Sequence, residues 1–154
     1  MNTHGRKFVS NWVPVFAWML VIFGMSTDIG SAAHTSRILL PLLHWVYPQI
    51  SLAAVELVQT IIRKTAHVTE YAILASLLLR ALRSVADWSW TRQAALALAI
   101  AVCYAAGDEF HQTFVASRTA SPHDVLFDAC GAVIGVVLYG WFAFRLQTRR
   151  VARA

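Results

Sequence analysis

Apolar residues along the chain fall into long runs separated by short polar segments. The four longest runs are Trp12–Met25, Ala66–Leu82, Gln93–Ala106 and Val125–Phe144. About 20 mostly apolar residues are needed to cross the roughly 30 Å hydrocarbon core as a helix. The first run is shorter than this, but its flanks extend it. The pattern therefore predicts an all-α integral membrane bundle with about four transmembrane helices.

Two shorter apolar segments lie between the first and second runs. Ser36–Tyr47 contains Pro41, which limits a helix there, and is too short to span. Ser51–Ile62 is a second short helix that could continue into the second span. Such a helix would be about 50 Å long, which exceeds the bilayer core. We therefore expect short interfacial helices on the outer face, and either a bend near Arg63–Lys64 or a protruding portion.

Composition supports a single membrane domain covering residues 1–154. The chain is 58% hydrophobic and 14% charged, whereas a soluble domain carries about 25% charged residues. The formal net charge is +5, but no basic patch is interleaved with aromatic residues, so nucleic acid is not an expected partner.

The placement of the basic residues predicts the orientation. With four spans, nine of the 13 lysines and arginines fall at the N-terminus, in the second connection and in the C-terminal tail. The positive-inside rule then places both termini in the cytoplasm. A cleaved signal peptide ending near Gly30-Ser31-Ala32 is the alternative interpretation of the first run.

This orientation places seven of the eight acidic residues on the outer side. Glu56 lies in the short Ser51–Ile62 helix. The other six adjoin the outer ends of the spans and are Asp28, Glu70, Asp108, Glu109, Asp124 and Asp128. Arg63, Lys64, His67 and Arg118 fall at the same level. Ionisable residues cost about 2.5–3.5 kcal/mol each near the bilayer centre and usually face protein or water. The sequence therefore predicts a polar cluster on the outer face.

The segment RKTAHVTEY, residues 63–71, is the densest part of this cluster. Lys64, His67 and Tyr71 recur at i, i+3 and i+7, and Glu70 lies three residues after His67. At 3.6 residues per turn these side chains share one broad helical face.

These motifs, with a second segment from Asp108 to Gly135, resemble the VanZ-like family of small bacterial membrane proteins. The shared pattern is Lys64-x-x-His67-x-x-Glu70-Tyr71, Asp108-Glu109-x-x-Gln112, Arg118, and Asp124-x-x-x-Asp128-x-x-Gly131. The resemblance covers about residues 16–139. In two places the chain departs from it: Ala116-Ser117 stands where relatives often carry Pro-Gly, and Asp128 stands where many carry Asn.

The resemblance implies a multi-pass protein of the bacterial cell membrane. The family's namesake is tied to resistance to the lipoglycopeptide teicoplanin. The expected partners are therefore membrane lipids and either a lipid-linked envelope precursor or a glycopeptide, with no cofactor and no resident metal. The candidate site comprises Arg63, Lys64, His67, Glu70, Tyr71, Asp108, Glu109, Gln112, Arg118, Asp124 and Asp128.

Each part of this site has a structural alternative. His67 and Glu70 could be a buried pair that fixes helix packing, a headgroup site, or a base and its partner. Asp124 follows Ser121-Pro122 at a spacing typical of a helix cap. A zinc site built from His67, Asp108, His111 and Asp124 is a weaker alternative.

Three functions remain open at this point. The first is a binding protein of the envelope. The second is a membrane-embedded hydrolase or transferase acting on lipid headgroups, with His67 as base, Glu70 or Asp128 orienting it and Arg118 holding the anion. The third is a small transporter or flippase.

Gly131 and Gly135 form a G-x-x-x-G step, which indicates close packing of the fourth span in the bundle.

Overall fold

A computed structural model describes residues 3–28, 31–85, 87–116 and 121–151. Within these ranges the regular structure is helical throughout. The five helices are α1 (Thr3–Ser26), α2 (Ala32–Val46), α3 (Leu52–Val85), α4 (Trp90–Gln112) and α5 (Pro122–Val151). The all-α prediction is confirmed.

Three of these helices are long and apolar enough to cross a membrane. They contain the segments Phe8–Ser26, Trp90–Gln112 and Pro122–Arg149, and their length and composition support the prediction of a membrane protein. The other predicted span lies in α3 and is not among the three, because α3 carries ionisable residues at intervals along its length. Four spans therefore remain a prediction.

The bundle is assembled around α3, which touches each of the other four helices. Tyr71, Leu74, Leu78 and Leu79 of α3 are completely buried or nearly so. Tyr71, Leu74 and Leu78 recur three and four residues apart, and Leu79 widens the same face, so the apolar face of the helix is directed into the bundle.

Small residues bring the other helices close to this centre. Ala97, Ala101 and Ala105 recur every four residues on α4, and none is exposed. On α5, a Cβ added at Gly131 would lie 2.9 Å from the Val68 Cα, and one added at Gly135 would lie 2.8 Å from the Ala72 Cα. The predicted inward packing of the G-x-x-x-G face is therefore confirmed.

Hydrogen bonds attach α1 to the rest of the bundle. The Trp18 indole N–H donates to the Glu70 carbonyl oxygen at 2.9 Å, and the Tyr104 hydroxyl donates to the Met19 carbonyl oxygen at 2.6 Å. Both bonds cross between helices, so they fix the position of α1 beside α3 and α4.

Several predicted boundaries were wrong. The α4 helix does not end near Gly107 but continues to Gln112, because a glycine inside a helix costs only about 1 kcal/mol and Gly107 keeps a negative φ. The α2 helix begins at Ala32 and passes through Pro41. Proline removes one helical hydrogen bond there without ending the helix.

The α3 helix runs without interruption through Arg63 and Lys64. Its 34 residues contain no proline or glycine, so nothing local interrupts it. At about 1.5 Å per residue it is longer than the bilayer core, which favours the expectation that a portion protrudes.

Candidate functional site

The predicted polar residues gather at one end of the bundle. The α1 and α4 helices end there and α5 begins there, as the contacts of Ser26 with Asp108 and of Lys64 with Asp124 require. The middle of α3 passes through the same level. The convergence inferred from the spacing of the spans is thus present in the structure.

The first part of this end is a buried junction between α1 and α4. The Ser26 hydroxyl donates to Asp108 Oδ2 at 2.5 Å. The Gln112 amide lies 3.2 Å from the same carboxylate oxygen and 3.4 Å from the Ser26 hydroxyl. All three side chains are at least 95% buried. Asp108 and Gln112 reach this junction together because α4 continues past Gly107 and places them one turn apart.

The second part joins α3 to α5 around His67. Its Nδ1 lies 3.6 Å from Asp128 Oδ1 and 3.9 Å from Glu70 Oε2. Asp128 is almost completely buried. A protonated imidazole would be attracted to both carboxylates, and this mutual attraction is stronger away from water. His67 therefore occupies the position expected of either a packing residue or a base.

A more exposed pair lies beside His67. The Lys64 Nζ is 3.1 Å from Asp124 Oδ1, with side chains 41% and 34% exposed. The same ammonium lies 4.0 Å from the centre of the Phe127 ring. Such half-exposed pairs are typically worth about 0–1 kcal/mol. The pair therefore orients Lys64 without removing it from reach of a ligand.

Glu109 connects the end of α4 to the start of α5. Its carboxylate accepts a hydrogen bond from the Ser121 backbone N–H. The α5 helix begins at the next residue, Pro122, as the Ser-Pro pair predicts.

These groups surround a cavity of about 260 Å³ between α3, α4 and α5, which we call the polar pocket. It is lined by Thr60, Arg63, Lys64, His67, Glu109, Gln112, Ser121, Asp124, Phe127 and Asp128. Seven of these belong to the predicted site.

Three predicted residues lie nearby but do not line the polar pocket. Asp108 belongs to the α1–α4 junction, and Glu70 lies behind His67. Tyr71 is completely buried, 6.4 Å from the Tyr104 ring, and its hydroxyl has no hydrogen-bond partner within the described part of the chain. Tyr71 therefore belongs to the core. Arg118 lies outside the described residues.

Three lining residues of the polar pocket lie outside the predicted site: Thr60, Ser121 and Phe127. Thr60 lies one helical turn before Lys64, so extending the 64–67–71 spacing backwards would have found it. Phe127 precedes Asp128 and follows Asp124 by three residues. Nothing in the sequence indicates that its apolar side chain lines a polar pocket.

No metal-binding group is evident in residues 3–28, 31–85, 87–116 and 121–151. Within these ranges no three His, Cys, Asp or Glu side chains are placed to hold an ion together. The zinc alternative built on His67, Asp108, His111 and Asp124 therefore gains no support.

Comparison with known proteins identifies the family. No curated protein and no solved structure matches the chain. The sequence pattern of the VanZ/LLP1 family matches residues 11–143. This range contains all the residues of the predicted site. The chain therefore belongs to the VanZ/LLP1 family.

Proposed function

We propose that the polar pocket binds the polar part of a lipid-linked envelope precursor or of a lipoglycopeptide, and that the protein thereby contributes to teicoplanin resistance. The proposal places the chain in the bacterial cell membrane, with both termini in the cytoplasm and the polar pocket on the outer face.

The proposal rests mainly on the environment of the Arg63 side chain. This side chain lines the polar pocket, and its Nε is buried without a hydrogen-bond partner in the described part of the chain. A buried donor without a partner costs about 1–3 kcal/mol, which an oxygen of a bound ligand would recover. Arginine is suited to bidentate contacts with phosphate or carboxylate groups.

The remaining charges restrict the class of ligand. Lys64 lies on the same wall as Arg63, whereas Glu109, Asp124 and Asp128 lie on the α4 and α5 side. A purely anionic ligand would meet repulsion from these carboxylates. A ligand with an anionic group and also amine or sugar hydroxyl groups matches both walls.

Susceptibility to teicoplanin tests this function, with vancomycin as the comparison drug. A susceptible host would express wild type, Arg63→Ala, Arg118→Ala or Arg37→Ala at membrane levels equalised by blot. Arg37 is exposed on α2 and does not line the polar pocket, so its variant is the matched control. We expect protection by wild type and Arg37→Ala only.

Equal protection by all four proteins would reject the polar pocket as the functional site. An absence of protection by wild type would show that the resistance phenotype does not extend to this family member.

The arrangement around His67 supports a second candidate function. The His67 Nδ1 faces two carboxylates, and Ser121 lines the same cavity, an arrangement compatible with a base and its orienting partners. A lipid-headgroup hydrolase or transferase is therefore the alternative. Turnover of a headgroup by purified protein, lost in His67→Ala, would favour it over simple binding.

A further inference from the structure

A second cavity lies at the end of the bundle opposite the polar pocket. It measures about 440 Å³, which is within the usual range of about 300–1,000 Å³ for ligand pockets. The end of α3, the start of α4 and the last third of α5 form it. The lining residues that matter here are Arg83, Trp90, Val136, Gly140, Phe144 and Gln147. We call this cavity the basal groove.

Gly140 and Trp90 shape the basal groove. A Cβ at Gly140 would lie 2.9 Å from Trp90 Cζ2, so the glycine leaves room for the indole ring. The same ring stacks near Tyr139, with centroids 6.4 Å apart. The Trp90 ring therefore forms one wall of the groove. The mostly buried Val136 and the largely exposed Phe144 supply an apolar surface along α5.

The polar mouth of the groove is basic. The Arg83 guanidinium lies over the Trp90 ring, with its Cζ 5.0 Å from the ring centre. Arg145 does not line the groove, but its Cζ lies 5.1 Å from the ring centre of Trp141, which does. Arg83 forms no ion pair within the described part of the chain, and no carboxylate is among the groove's lining residues there.

Tryptophan marks the depth of the groove in the membrane. Trp88, Trp90 and Trp141 all lie at this end and are partly or largely exposed. Tryptophan concentrates at the level of lipid headgroups, so Arg83 is placed where phosphate groups of the adjacent leaflet lie. Basic pockets between transmembrane helices are suited to anionic headgroups.

We propose that the basal groove binds one anionic phospholipid. Its phosphate contacts Arg83, its headgroup reaches Gln147, and one acyl chain lies along Val136, Gly140 and Phe144. The site is separate from the polar pocket and does not depend on the function proposed for it.

Native mass spectrometry of the full chain in detergent tests this proposal, with phosphatidylglycerol titrated against phosphatidylcholine. Wild type should retain one phosphatidylglycerol in preference to phosphatidylcholine. Arg83→Gln should weaken retention by about tenfold or more, because a charge-assisted hydrogen bond is worth about 1.5–3 kcal/mol. Arg83→Lys should restore most of the affinity by keeping the charge.

The matched control is Arg92→Gln, which removes the same charge from an exposed position on α4 outside the groove. It should bind phosphatidylglycerol like wild type. Ala143 also lines the groove, and Ala143→Trp, which fills the groove beside Phe144, should abolish retention. If that variant does not fold, the comparison of Arg83→Gln with Arg92→Gln still shows whether Arg83 in the groove holds the lipid.

Three outcomes would overturn the proposal. They are equal retention of the two lipids by wild type, equal weakening in Arg83→Gln and Arg92→Gln, and no retained lipid in any protein. A dimer with no bound lipid would instead assign the groove to a second copy of the chain.

Discussion

Replacing Gly131 with alanine should loosen the contact between α3 and α5. The added Cβ would lie 2.9 Å from both the Cα and the carbonyl carbon of Val68, and closer still to the carbonyl oxygen. Carbon atoms in contact prefer about 3.5–4.0 Å, so α5 would have to move away by about 1 Å. Because these atoms belong to the backbone, no side-chain rotation can relieve the clash.

The loss in the free energy of unfolding of Gly131→Ala follows from two opposing effects. Overpacking a close contact costs typically about 1–3 kcal/mol, and a backbone clash belongs at or above the upper end. Alanine recovers about 1 kcal/mol of helix propensity over glycine. The net loss is about 2 kcal/mol, which corresponds to a melting temperature about 4–8 °C lower for a chain of this size.

Thermal unfolding in detergent, followed by helical circular dichroism, measures this loss. Gly107→Ala is the matched control, because it makes the same substitution inside α4 with no neighbouring atom within 4 Å. It should melt at or slightly above the wild-type temperature. Val68→Ala should not rescue Gly131→Ala, because the Val68 side chain is not what the new methyl meets. Equal melting of the Gly131 and Gly107 variants would refute the close-packing account.

Two further predictions concern the polar end of the bundle. Ser26→Ala should destabilise the protein by about 1–3 kcal/mol, because it removes the closer of the two donors to the buried Asp108 carboxylate and leaves only the Gln112 amide. Thr69→Ala, which removes only an exposed bond to its own helix, is the thermal-melting control, and equal melting of the two variants would contradict the reasoning. A double-mutant cycle of Lys64→Ala and Asp124→Ala should give a coupling of at most about 1 kcal/mol, and a much larger value would show that the pair is less solvated than its exposure indicates.

Hydrophobic pattern and charge placement were sufficient to predict the helical class and the convergence of carboxylates. Both follow from a physical constraint that acts along the sequence: apolar segments must be long enough to span, and charged residues must avoid lipid. The same constraint placed Lys64, His67 and Asp128 at one level before any contact was known.

Sequence reasoning was less successful with helix ends and with which polar groups share a cavity. Gly107 and Pro41 resemble helix terminators, but packing against neighbouring helices carries α4 and α2 through them. The separation of Asp108 from the polar pocket could not be predicted, because it depends on the rotation of α4 that directs Asp108 toward Ser26 and Glu109 toward Ser121. Tyr71 shares its helical face with His67, yet lies one turn deeper in the core.

Direct binding to the purified protein tests the central proposal most closely. Wild type, Arg63→Ala and Arg37→Ala would be reconstituted in lipid nanodiscs and titrated with teicoplanin and with a lipid-linked cell-wall precursor. We expect at least one of these ligands to bind wild type and Arg37→Ala equally, and Arg63→Ala about tenfold more weakly or worse. Equal affinity in all three proteins, or no binding of either ligand, would contradict the assignment of the polar pocket as a binding site.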